Sequence, residues 1–236
     1  MAKLGEREFS YINNGEVMRD YIRLLNTRLV YSNNVLENDN EAIGKMFDHA
    51  HALVLNDNLK AFSILLRKVF SKEEKVLTTD LIKEVANTIN KHSMYVKDDY
   101  RTLGDDVKFE GIFPIEKSSK IDEAMEHLID MYYGEWSKLD IFKREALFNI
   151  EFLRIHPFED GNGRTSRLIL NFNMLRQGHA PILIPESARE EYFKARNRRD
   201  SEWIKNLFIE ESDKELGVIN KIIDEYELEK GSELKR

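Results

Sequence analysis

No cysteine occurs among the 236 residues. Disulfides, thiolate nucleophiles and Cys-ligated metals are therefore excluded, and the lack fits a reducing compartment. Proline is scarce, with 4 residues, and glycine numbers only 11. So few breakers leave room for long helices. No run approaches the ~18 consecutive apolar residues expected of a membrane span. Residues 1–10 are charged and lack the apolar stretch of a signal peptide. Positive charge is in deficit, with 36 Lys and Arg against 43 Asp and Glu, a formal net charge of −7. A nucleic-acid binder needs a basic face, so none is expected here. These absences point to a soluble cytoplasmic protein that acts on neither nucleic acid nor membrane.

What is present suits one domain, or one domain with a small appendage: 42% hydrophobic residues can build a core and 33% charged residues can cover it. Apolar residues recur at helical spacing over 11–37, at Val17, Tyr21, Leu24, Leu25, Leu29 and Val30. Further helices are expected over 42–55, 59–70, 119–133, 139–155, 165–176, 189–208 and 216–228. Another runs from Thr79, a candidate N-cap, through Ile89. The 139–155 segment is apolar enough to be buried on most sides. Gly178 stops the helix before it, and the polar tail after Glu229 is expected to fray. Residues 100–117 differ. They carry Gly104, Gly111 and Pro114 with alternating Val107 and Phe109, and read as extended or hairpin-like.

The chemistry concentrates in His156-Pro157-Phe158-Glu159-Asp160-Gly161-Asn162-Gly163-Arg164-Thr165-Ser166-Arg167. Gly161-Asn162-Gly163 stands directly before a helix, where free N–H groups point outward and attract anions. Arg164 and Arg167 are three residues apart and share a helix face, suited to bidentate grip on phosphate oxygens. Asp160 at the loop edge has the hard oxygens Mg2+ prefers. His156, at the end of the preceding helix, is a residue type that accepts a proton near neutral pH. The set suits phosphoryl or nucleotidyl transfer, which is mostly positioning and charge neutralisation. The same residues also fit a plain turn, with Asp160 as a cap and the arginines solvated. Spacing does not say which phosphorus is attacked.

That string resembles the Fic motif, HPFx(D/E)GNGRxxR, at every defined position. The likeness extends into Leu168–Asn171 and Gly178–Ile184, and more loosely back to Thr78. It implies an all-α fold, a Fic helical bundle with a small β-hairpin flap beside the active site. The implied divisions are an N-terminal helical region at 1–77, a core at 78–209, and a C-terminal helix with polar tail at 210–236. The implied activity is transfer of AMP from ATP-Mg to a Ser, Thr or Tyr hydroxyl of a target protein, with pyrophosphate released and auto-AMPylation expected. His156 would take the hydroxyl proton and Asp160 would bind Mg2+. Gly161, Asn162, Gly163, Arg164 and Arg167 would hold the ATP phosphates, and Phe158 would anchor the loop. Doc-type relatives, which phosphorylate, usually alter the Gly-Arg end of the motif, and here Gly163 and Arg164 are intact. AMP removal, phosphoryl transfer or a non-catalytic interaction module remain the alternatives.

The resemblance assigns three further groups. Val107, Phe109, Gly111 and Ile112 fall on the flap, whose edge would add a strand from the target protein. An ordinary surface hairpin has the same pattern. Tyr192 and Phe193 fall near the adenosine, or are helix-packing rings. Fic proteins are often restrained by a helix ending in (S/T)xxxE(G/N), whose glutamate pairs with the second loop arginine. Glu37-Asn38 fits that ending, while Asn33 stands where Ser or Thr is expected and Ser32 is one place early. A carboxylate on Arg167 would remove a phosphate ligand, although the same residues also make a plain polar helix end. Self-association is common among Fic proteins, but no distinct interface stripe stands out here, so a homo-oligomer and a monomer both stay open.

Overall fold

A computed structural model describes residues 3–12, 17–37, 49–70, 76–92, 99–102 and 118–233. Among them run the helices α1 (Glu6–Ile12), α2 (Val17–Glu37), α3 (His49–Phe70), α4 (Thr79–Ile89), α5 (Ile121–Tyr133), α6 (Ile141–Ile155), α7 (Asn162–Arg176), α8 (Arg189–Arg198) and α9 (Ser201–Glu233). The described residues contain no strand, only an isolated antiparallel bridge between Lys3 and His179. The all-α expectation therefore holds for them. Val107, Phe109, Gly111 and Ile112, the expected flap, lie outside the described residues.

Helix α7 is the hub, packed by α2, α3, α4 and α6. All its residues except Gly163 and Arg176 are buried, including Asn162, Arg164, Ser166, Arg167, Asn171 and Asn173. A helix buried all round is normally apolar. This one carries polar side chains inward, so each must find a partner inside the protein. Helix α6 runs antiparallel beside it: Asn149 Nδ2 lies 3.4 Å from Ser166 Oγ, and Asn173 Nδ2 donates to Glu145 at 2.9 Å. The start of α6 is capped by Asp140, whose carboxylate accepts the Phe142 and Lys143 N–H groups, both at 3.1 Å. Apolar residues of α2 to α7 and α9 form one core, and Leu36, Phe142, Ile150, Leu170, Met174 and Phe208 belong to a second.

Three boundaries differ from expectation, each for a local reason. The N-cap of α4 is Thr78 rather than Thr79; its hydroxyl accepts the Leu81 N–H at 3.1 Å. Asn56-Asp57-Asn58 reads as an interruption, yet α3 passes straight through it. Asp57 is fully buried and its Oδ2 lies 2.6 Å from His92 Nδ1 at the far end of α4, so the break signal is a tertiary contact. Between α8 and α9, Arg199 adopts the left-handed conformation (φ 58°) and ends α8; α9 then continues unbroken through Gly217. A single helix over 189–208 was expected, and the polarity of Arg198-Arg199-Asp200 gave no warning of the turn. Helix α1, which was not expected, docks on α9 through Arg7 and Tyr11.

Glu145 ties α5, α6 and α7 together. Tyr132 donates to its Oε1 at 2.5 Å and Asn173 to its Oε2. Burial raises its pKa to about 7, against the lowering pull of those two hydrogen bonds and of Arg144 and Arg176. A folded pKa above the unfolded value means the folded state holds the proton more tightly. The associated stability is complete below about 4.5 and is lost as pH rises through about 7. Glu145→Gln, an isostere that does not ionise, removes that loss. Chemical denaturation of both proteins at pH 5 and pH 8 should therefore show the variant gaining on the wild type at the higher pH. The expected relative gain is on the order of 3 kcal/mol. An unchanged difference between the two pH values would show that Glu145 does not titrate in this window.

Candidate active site

The site is the six-residue reversal between α6 and α7. Helix α6 ends where His156 turns left-handed (φ 52°, ψ 60°), its N–H still bonded to Phe152 O at 3.0 Å. A left-handed residue other than glycine is uncommon, and surrounding structure must hold it. Here Arg101 does so. Its Nε donates to His156 O at 2.8 Å and its own N–H to Pro157 O at 2.8 Å, while the side chain is almost wholly buried. A guanidinium on the last carbonyls of a helix also opposes the negative end of the helix dipole. The imidazole is thus carried at a fixed corner, half-exposed, at the mouth of the loop.

Two devices close the rest of the loop. Asn162, the first residue of α7, reaches back to Phe158 with both ends of its amide. Its Oδ1 accepts the Phe158 N–H at 3.0 Å and its Nδ2 donates to Phe158 O at 2.7 Å. The Phe158 ring is buried against Tyr100 and Phe152, with centroids at 5.5 and 6.5 Å, and so anchors the loop as expected. Asp160 then folds over Gly161: Oδ1 accepts the Gly161 N–H at 2.6 Å and Oδ2 meets Arg164 Nη2 at 3.1 Å. Gly161 is left-handed (φ 75°), and a Cβ there would lie 2.6 Å from Asn90 Oδ1. Only glycine fits on both counts. Asn90 closes the frame from the end of α4, with Nδ2 on Asp160 O at 2.8 Å.

The result can do three things chemically. The first turn of α7 presents N–H groups that have no partner within the helix, at the positive end of its dipole. Arg164 and Arg167 stand on that turn and the next, both buried, so their charges act in a medium that screens them less than water. Asp160 keeps a partly exposed carboxylate (side chain 43%) beside this cradle. The described residues hold no cluster of three or more His, Asp or Glu that could cage a metal. One hard carboxylate suits Mg2+, which is held by one or two protein oxygens and completes its shell with water and substrate phosphate. The donor set therefore fits Mg2+ arriving with a polyphosphate.

The other expected residues are distributed around this frame. Tyr192 is fully buried and donates its hydroxyl to Asn149 Oδ1 at 2.6 Å, which links α8 to α6. Phe193 is half-buried, with the Arg189 and Arg196 guanidinium carbons 4.8 and 4.7 Å from its ring centre. Helix α2 carries Asn33 and Glu37 in its last turns, and its end is fixed beside α7 and α8. Leu36 is fully buried, Arg189 Nε donates to Leu36 O at 2.9 Å, and Ser32 Oγ donates to Ile184 O at 2.7 Å. Ser32, one place early for the inhibitory motif, is thus engaged in anchoring the helix. The side chains of Asn33 and Glu37, and all of Asn38, lie outside the described set. Asn90 and Arg101 were not expected at the site; their partners stand 70 and 55 residues away in sequence, and no local spacing points to them.

Parts of this chain are similar to known proteins. Residues 76–174 match the Fic/DOC family. The protein adenylyltransferase fic-1 of Caenorhabditis elegans is 38% identical over 72 residues, 30% of this chain and 14% of that protein. The protein adenylyltransferase Fic of Drosophila melanogaster is 48% identical over 48 residues, 20% of this chain and 10% of that protein. The matches thus span a small part of these relatives. A Fic-domain-containing signalling protein from Bacteroides thetaiotaomicron superposes with a TM-score of 0.77 at 20% identity, over 92% of this chain and 95% of that one. Fic-1 of C. elegans does so at 0.70 and 21% identity, over 92% and 67%. These superpositions establish the fold, and the family match covers α4 through most of α7 together with the loop between α6 and α7. The match to the Fic/DOC family thus takes in the segment that carries His156, Asp160, Arg164 and Arg167.

Proposed function

We propose that the chain is a protein adenylyltransferase that moves AMP from ATP to a Ser, Thr or Tyr hydroxyl of a target protein. The observation that carries this reading is the juxtaposition of His156, at the left-handed end of α6, with the buried Arg164 and Arg167 on the first turns of α7. One side of the loop offers a base; the other offers a cradle for a triphosphate.

In the reaction, His156 takes the proton of the target hydroxyl, whose oxygen attacks the α-phosphorus. The bond from that phosphorus to the β-phosphate bridging oxygen breaks, and pyrophosphate leaves. Arg164, Arg167 and the amides of Asn162 and Gly163 neutralise charge on the phosphates, while Gly161, whose own N–H is taken by Asp160, supplies the turn that presents them. Mg2+ bound at Asp160 supplies further charge neutralisation. Phe193 offers the ring nearest the surface for the adenine, with Tyr192 fixed beneath it. Val107, Phe109, Gly111 and Ile112 would contact the target protein.

The same reading includes restraint by α2. A carboxylate from Glu37 on Arg167 would place negative charge where the γ-phosphate belongs. Support comes from the anchoring of that turn by Ser32 and Arg189 next to α7. Asn33 stands where the motif has a hydroxyl residue, and an amide side chain is also able to donate and accept hydrogen bonds.

Parallel incubation with α-labelled and γ-labelled ATP tests the activity. AMP transfer puts label on protein from the α position alone; label from γ alone means phosphorylation, and no label with ATP bound means AMP removal or an idle module. His156→Ala should lower transfer by about 10²–10⁴-fold, and a rate within a few-fold of wild type would remove His156 as the base. Glu37→Gly should raise auto-AMPylation at matched ATP and Mg2+ by about tenfold, equivalent to a bias of about 1.4 kcal/mol. Equal rates in the two proteins would end the case for restraint by α2.

A further inference from the structure

Asn90 is the C-cap of α4 and not part of the loop, and its backbone ends that helix: its N–H bonds to Ala86 O at 3.0 Å. The side chain is therefore not needed as a cap. It is buried, 5% exposed, and both its ends are turned to the loop. Nδ2 donates to Asp160 O at 2.8 Å, and Oδ1 accepts from Arg164 Nη2 at 3.4 Å. The same oxygen sits where any side chain on Gly161 would have to go. Two residues further on, His92 is fastened to the buried Asp57 of α3 at 2.6 Å, so the end of α4 is itself held firmly.

We propose that Asn90 is a positioning residue for the metal-and-triphosphate half of the site. One amide sets the Asp160–Gly161 peptide, and through it three things. It fixes the direction of the Asp160 carboxylate, the left-handed turn that opens α7, and the side from which Arg164 approaches. His156 is set separately by Arg101, at the other end of the loop. Loss of Asn90 therefore weakens binding of the metal-loaded nucleotide and leaves the base in place. The inference rests on the nucleotide-transfer reading.

Calorimetric titration of the full chain tests it. The Glu37→Gly chain is the parent, so that α2 does not mask nucleotide binding, and the probes are MgATP and ATP in EDTA. Asn90→Leu keeps the volume and removes both hydrogen bonds. Asn90→Asp keeps the acceptor for Arg164 but loses the donor to Asp160 O. Both should weaken MgATP by about tenfold, in line with the loss of one or two buried hydrogen bonds, while ATP in EDTA, which draws on Arg164 but not on the Asp160 carboxylate, loses less, by about threefold. The melting temperature should stay within a few degrees, because the lost bonds carry only about 1 kcal/mol each. MgATP affinity within twofold of the parent in the folded variants overturns the proposal. So does a parallel fall in both nucleotides with a large drop in melting temperature, the signature of a purely structural residue. The activity reading fails by a different result, unchanged transfer in His156→Ala, and the MgATP affinities still report on Asn90 in that case. A parent chain that binds neither nucleotide overturns both.

Discussion

The antiparallel pairing of α6 and α7 is the constraint on which everything else in this protein depends. Glu145 with Asn173 and Asn149 with Ser166 fix the register of the two helices. Once the register is fixed, the chain has only the residues between Ile155 and Asn162 in which to reverse. It does so with two left-handed residues, His156 and Gly161. The first can be a histidine because Arg101 and Phe152 hold its backbone from both sides. The second has to be glycine because Asn90 leaves no room. A histidine and two buried arginines are thus brought to the two ends of one short connection by the way two helices are joined.

The polar content of α7 follows from the same geometry. A hub helix surrounded by other helices would ordinarily be apolar, yet here its buried face carries amides and guanidinium groups. Each amide bonds a neighbouring segment. Asn162 holds Phe158, Asn171 holds Ile182 through both its N–H and C=O, and Asn173 holds Glu145. Buried polar networks of this kind are costly when incomplete and specifying when complete. They let the helix carry charged residues into the interior at one end, where a charged ligand can compensate them.

Much of this was legible in the sequence. Apolar periodicity located the long helices, and the run His156–Arg167 marked out the connection between α6 and α7 as the candidate site, because local chemistry and spacing are both written there. The parts that were not legible share a cause: their partners are distant. Asp57 reads as a helix interruption until His92 is seen beside it, 35 residues away. Asn90 reads as a helix end and Arg101 as the start of a hairpin, and only folding brings them to the loop. Tyr192 and Phe193 are adjacent and equally aromatic, yet the helix face sends one into the core and leaves the other half-exposed. Ser32 illustrates the limit of motif spacing, since one residue of displacement on a helix moves a hydroxyl to another partner, Ile184.

The attachment of α1 has a consequence for α2. Leu4 N–H bonds Gly178 O at 2.9 Å, Arg7 reaches Asp224 and Glu227, and Tyr11 bonds Glu227, so the segment before α2 is clasped to the far side of the bundle. Each contact is individually modest, but together they tether α2 at its beginning while Ser32 and Arg189 secure its end. If that end lifts, it is not lost to solution; it remains a tethered neighbour at an effective concentration on the order of millimolar. Whatever occupancy α2 has beside α7 is therefore set within one molecule, and diluting the protein leaves it unchanged.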